Sequence, residues 1–310
     1  MDEFSMNAPG DADYKRRDFI ASALRAAFAT SMVGIPVLTM ASKHIAPKIN
    51  YSVQDIIDII LKEIPGAPFA ETVDTIKSGS AGQHVTGIVT TMFPTLRVIK
   101  EAARIRANFI IAHEPTFYNH ADDLNWTEKN KVVKNKIKLL DEHHITVWRF
   151  HDYIHSMKQD GIRKGVLEMA GWQQYEQAGE PILKLPKTSL KNLIDHLKSS
   201  LHITHVKVIG DLAQLCERVA LMPGAVGGQK QISMVEKEVP DVLIVGEVHE
   251  WETAEYIRDA RAAGSPTSLI ILGHSVSEEP GMKWFAEWLQ PKIPGIKITH
   301  VGSGDPFTWI

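Results

Sequence analysis

At 310 residues the chain can bury one large core or two smaller ones, and 44% hydrophobic against 23% charged residues is the balance of a folded protein. A formal net charge of −3 argues against a general nucleic-acid binder. The single cysteine, Cys216, excludes an intramolecular disulfide and a thiolate metal site, so any metal must be held by imidazole and carboxylate.

Residues 1–45 read as a segment apart. Tyr14-Lys15-Arg16-Arg17-Asp18-Phe19-Ile20 carries paired arginines, and Ala26 to Leu38 is apolar or small except for Thr30 and Ser31. Leu38-Thr39-Met40-Ala41-Ser42 offers a cleavage site, which completes the layout of a secretory signal resembling the twin-arginine type. The expectation is export to the periplasm; the alternative is a basic tail leading into a short surface helix of a cytoplasmic protein. The apolar run is too short for a spanning helix of about 20 residues, so no membrane span is expected in the mature chain.

From residue 51 the pattern alternates. Val53 to Glu63 has helical spacing behind a candidate cap, Ser52, and a polar loop follows through Thr75 and Gly79. Gly87 to Met92 is a strand, Leu96 to Arg106 an amphipathic helix, and Asn108 to Ala112 a second strand, which together make a βαβ unit. Lys129 to His144 is a helix with a solvated lysine face, Ile145 to Phe150 a strand, and Gly161 to Gly171 a helix. Residues 172–188 read as an irregular seam between two lobes, the first about 51–170 and the second about 171–310. Beyond it come a helix at Ser189–Ser199, strands at 206–209 and 218–222, a strand at 242–245, a helix at 252–263, a strand at 269–272, a helix at 279–289 and a last strand at 297–301. The fold class is α/β, two similar lobes of mixed or parallel sheet flanked by helices, with a site between them.

Three strands end in metal-ligating side chains. Phe109-Ile110-Ile111-Ala112 runs into His113-Glu114 and is stopped by Pro115; the strand ending at Phe150 runs into His151 and His155; Leu272-Gly273 leads to His274 and Glu278. The carboxyl ends of parallel strands are where open α/β sheets bind ligands. A His and a Glu four residues apart share one side of a helix's first turn and are able to grip one metal or bridge two. Glu247 and Glu250 are candidate general bases or partners of the ligands, or else ordinary surface acids. Gly224, Gly227 and Gly228 suit an anion-binding turn before a helix, and equally a plain tight turn.

These motifs resemble the Nif-three-like family of dinuclear metal-centre proteins, also known as type-2 homologues of GTP cyclohydrolase I, over about residues 51–310. His113-Glu114-Pro115 stands where the family has H-H-P, and His151-Asp152-Tyr153-Ile154-His155 where it has H-T-N-L-D. Val219 to Gly228 matches its glycine-rich strand-turn and Gly246-Glu247 its G-E segment. Gly273-His274 to Glu278 matches its G-H-x-x-x-E, and Asp305-Pro306-Phe307 its D-P-F. The resemblance implies two divalent ions (Zn, Fe, Mn or Co), a toroidal homo-hexamer, and a metal-dependent hydrolase of a small phosphorylated or nucleotide-like molecule. The alternative is a non-catalytic metal-binding or scaffold protein. Two positions depart from the family, Glu114 for a His and His155 for an Asp. His113, Glu114, His155, His274 and Glu278 still total three imidazoles and two carboxylates, which reads either as a compensated exchange or as a drifted site that binds metal weakly.

Overall fold

The computed structural model describes residues 50–127, 129–177 and 180–310. The expected signal, residues 1–45, lies outside them. Among the described residues no helix is long and apolar enough to cross a membrane.

Helix α1 (Val53–Leu61) starts in a capping box: the Ser52 hydroxyl accepts from the Asp55 amide while the Asp55 carboxylate accepts from the Ser52 amide. Strand β1 (Ile76–Ser78) lies where the sequence suggested only a polar loop. Three residues with no alternating apolar pattern carry too little signal to mark a strand. Then come β2 (Ile88–Thr91), α2 (Leu96–Arg104), β3 (Phe109–Ala112), α3 (Lys131–Glu142) and β4 (Thr146–Arg149). Every residue of β2, β3 and β4 is buried, as expected of parallel strands covered on both faces. A short helix α4 (Asp152–His155) precedes α5 (Gly161–Ala170), which Asp160 caps through its Oδ1.

Strand β5 (Ile182–Ser189) occupies the last part of the expected seam, from Ile182 on. It is an edge strand, antiparallel to β7, with a break in register between Lys184 and Thr188, around Pro186. The chain continues through α6 (Leu190–Ser200), β6 (Lys207–Ile209), β7 (Leu215–Met222), α7 (Gly228–Glu238), β8 (Val242–Val245), α8 (Glu255–Ala262), β9 (Ser268–Ile271), α9 (His274–Leu289) and β10 (Ile298–His300).

The strands form two five-stranded sheets, β1-β4-β3-β2-β10 and β5-β7-β8-β9-β6. Parallel pairs make the centre of each, and antiparallel strands sit at edges: β1 in the first, β5 and β6 in the second. The mixed α/β architecture with two sheets is as expected, but the second lobe does not run to residue 310. Strand β10 returns to pair with β2, and Met282, Phe285 and Leu289 of α9 enter the core beside Ile56, Ile60, Phe109 and Trp148. Three large apolar side chains on one helix face find their cavity in the first lobe, and burial there outweighs chain order. The opposite face of the first sheet is covered by α2 and α3 through Val98, Ile99, Val133 and Leu140. In the second lobe α5 and α6 cover one face and α7 and α8 the other. Helices α9 and α5 cross where an added Cβ on Gly165 would sit 2.5 Å from the Gly281 Cα, so the two lobes meet backbone to backbone.

Candidate metal centre

Strands β3 and β4 are parallel neighbours, with Ala112 opposite Arg149, so their exits bring His113-Glu114 and His151 side by side. Helix α4 turns His155 back over the same edge. The His113 and His151 rings stack with centroids 4.8 Å apart, and His155 lies 5.2 Å from the first and 5.1 Å from the second. From across the lobe boundary the first turn of α9 delivers His274 and Glu278, one helical turn apart. Glu278 Oε2 lies 3.0 Å from His274 Nε2 and 3.4 Å from His113 Nε2, and Glu114 Oε1 is 3.4 Å from His274 Nε2. All six expected metal-ligating residues therefore meet. Two subsets, His113-His151-His155 and His113-Glu114-Glu278, each place one ligating atom per residue within 4.8 Å of the others.

The donor set fits a divalent cation. His113 Nε2 and Glu278 Oε2 are buried, close, and without a hydrogen-bond partner. Such atoms are rare in folded proteins and expensive unless an ion or water satisfies them. The far nitrogens of three rings are held. His113 Nδ1 meets the Phe150 carbonyl at 3.2 Å, His151 Nδ1 the Asp152 carboxylate at 2.9 Å, and His155 Nδ1 the Asp160 carboxylate at 2.9 Å. Oxygens of this kind accept only, so each Nδ1 carries the proton and each Nε2 presents a lone pair, the arrangement outer partners impose on metal-ligating histidines.

Charge is arranged accordingly. Burial opposes ionisation of Glu278, but His113 and His274 outweigh it and hold the carboxyl well below its usual range. Glu114 follows the same pattern: burial raises it, while His274, His113 and Arg149 bring it down overall. Burial likewise opposes the charge on His274, yet Glu114 and Glu278 push it up to about 10. His151 goes the other way, lowered to about 4 by burial and then by His113. His155 is resisted by burial but raised overall by Asp160.

The remaining candidates separate. Glu247 Oε2 is 3.3 Å from His274 Nδ1, a partner of a ligand that is half exposed itself. Glu250 is exposed and pairs with Lys207 at 3.1 Å, facing nothing in the cluster. Gly224 makes room: its φ is +74°, and a Cβ there would fall 2.0 Å from Glu278 Oε1. Gly227, at φ +90°, borders open space, and a Cβ on Gly228 would meet the Glu252 side chain, so neither touches the cluster.

Three contributors escaped sequence reasoning. Arg149 is fully buried; its Nη2 is 3.2 Å from Glu114 Oε2, and it also donates to the His113 and His120 carbonyls. In the sequence it reads only as the last residue of a strand. Asp152 and Asp160 orient the imidazoles of His151 and His155, and the available signal for Asp160 was its place as an N-cap just before Gly161.

A family model described as Duf34/NIF3 (NGG1p interacting factor 3) matches residues 51–305. The GTP cyclohydrolase 1 type 2 homolog of Clostridium perfringens is 25% identical over 272 residues, covering 83% of this chain and 98% of its own. A solved Bacillus cereus protein related to NIF3 superposes with a TM-score of 0.69 at 17% identity, over 86% of this chain and all of its own. A Staphylococcus aureus protein does so with 0.67 at 19%, over 84% and 99%. At such identities these structures speak to fold alone.

Proposed function

The chain belongs to the Duf34/NIF3 family, and from that premise we propose that it binds two divalent cations and hydrolyses a small phosphorylated or nucleotide-like molecule. The observation that carries this is the facing pair of buried, unpartnered ligand atoms, His113 Nε2 and Glu278 Oε2, ringed by His151, His155, His274 and Glu114. Divalent ions bound there would lower the pKa of a water and clamp a hydrolytic displacement. The chain's own part is to hold the ligands: Asp152, Asp160 and the Phe150 carbonyl fix three imidazoles, and Glu247 steadies His274. A nucleotide-like substrate is compatible with the name carried by the Clostridium relative.

The second reading is a non-catalytic metal-binding protein, favoured by the altered ligand set: Glu114 stands where the resemblance expects a His and His155 where it expects an Asp. Metal analysis of the purified full chain, then a screen of phosphoesters, nucleotides and cyclic amides with and without added metal, separates the two. Metal-dependent turnover of one class is expected. Metal without turnover supports the scaffold, and failure to bind excess zinc, manganese or iron removes both. Homo-hexamer assembly and periplasmic export, proposed on the same resemblance and on the paired arginines, are checked by the solution mass and by the amino-terminal sequence of exported protein.

A further inference from the structure

We propose that the cluster consists of two chemically unlike half-sites: an all-imidazole one made by His113, His151 and His155, and a carboxylate-rich one made by Glu114, His274 and Glu278. This deepens the metal-binding function proposed above and rests on it. The three rings of the first half-site all stand on the exits of β3 and β4 and on α4. Their centroids are 4.8–5.2 Å apart, and one nitrogen of each lies within 4.8 Å of the others. Of the four imidazoles in the cluster they are also the three whose Nδ1 atoms are each hydrogen-bonded to an oxygen, an arrangement that turns three Nε2 atoms toward one point. His274, in the other half-site, has no such bond; Glu247 approaches its Nδ1 at 3.3 Å.

The second half-site carries the negative charge. His274 Nε2 sits 3.4 Å from Glu114 Oε1 and 3.0 Å from Glu278 Oε2, and Arg149 compensates part of that charge from behind Glu114. Glu278 Oε2 also approaches His113 Nε2 at 3.4 Å, which places this oxygen on the border of the two half-sites. Exchanging a His for Glu114 and a carboxylate for His155 therefore preserves the ligand total but segregates the types. With His151 added, nitrogen predominates on one side and carboxylate on the other, the two meeting where Glu114 Oε1 lies 3.7 Å from His151 Nε2 and where His113 groups with Glu114 and Glu278. Three imidazoles suit zinc or cobalt, whereas a site with two carboxylates suits manganese, so the two half-sites should select different ions.

Metal-stripped full chain, incubated with equimolar zinc and manganese and then desalted, tests this by elemental analysis, with cobalt absorption as a second readout. With both ions in several-fold excess over protein, wild type is expected to retain about one zinc and about one manganese per chain, whereas two indiscriminate sites would both fill with zinc, the tighter-binding ion. His151→Ala should lose zinc and the cobalt d–d band while keeping manganese, with a zinc affinity loss at least as large as the 10- to 100-fold, roughly, that an outer partner alone costs. Glu114→Gln should do the reverse. His155→Ala is the second variant on the imidazole side and must reproduce His151→Ala, so a folding defect in one does not decide the matter. Two half-sites that take zinc and manganese indiscriminately, or a His151→Ala protein with undiminished zinc, would overturn the proposal while leaving the metal-binding function intact. A wild-type chain that binds neither ion would overturn both.

Discussion

The two sheets end differently at the metal cluster. In the first, parallel strands β3 and β4 run out into ligands, His113-Glu114 and His151, backed by buried cations. In the second, β7 and β8 run out into glycines, Gly224 and Gly246, while their neighbour β9 runs through Gly273 into His274 and Glu278 at the head of α9. A Cβ on Gly224 would strike Glu278, and one on Gly246 would come within 2.4 Å of the Ser277 hydroxyl. Beside the β9 exit the second lobe contributes space, into which the first turn of α9 fits. Similar strand arrangements thus serve different purposes: the first edge is lined with side chains at neighbouring strand exits, and the second leaves room with glycines for the side chains that one strand exit delivers.

The sharpest way to break the first edge is to remove its buried cation. Arg149→Met leaves Glu114 and Asp122 buried beside an apolar group, and should cost about 3–5 kcal/mol in urea unfolding. Adding Glu114→Gln to it should recover part of the loss; no recovery would mean that Arg149 acts through packing alone.

Lys136, buried with its ammonium donating to the Thr116 carbonyl, tests the same edge by pH. Burial lowers it from 10.5 to about 8. Between those values the unfolded chain holds the proton and the folded chain does not, so stability rises with pH across the window. The gain is roughly 3 kcal/mol from pH 8 to 10.5, and the penalty is fully present below pH 8. Unfolding midpoints of wild type and Lys136→Met should therefore converge or cross as pH rises; parallel curves would place the ammonium in water.

On the second edge, Gly224→Ala should lose metal by displacing Glu278, and lose about 1–2 kcal/mol from the left-handed backbone alone. Metal retained at wild-type level would show that the glycine is only a turn residue. The smallest effect belongs to Glu250→Ala, on an exposed pair with Lys207: metal content and melting temperature should not change measurably.

Much of the first edge was legible because apolar strands abut their ligands directly, with Pro115 marking one exit, and the four-residue spacing of His274 and Glu278 proved to be the first turn of a helix. Arg149 was not legible, because a charged residue at a strand end gives no sign of being buried until the loop carrying His120 closes over it. That Gly224 leaves room for Glu278 was not legible for a related reason. A glycine-rich turn looks the same in sequence whether its open side faces an anion or a neighbouring glutamate.

By itself the sequence determined where strands and helices lie and which chemistry stands at their ends, since period and neighbouring residues are local properties. It did not determine that β10 and α9 return to the first lobe, and everything at the centre turns on that. His274 and Glu278 reach His113 because Met282, Phe285 and Leu289 bury themselves in the other lobe's core, and which cavity accepts an apolar face is settled by packing between segments far apart in the chain.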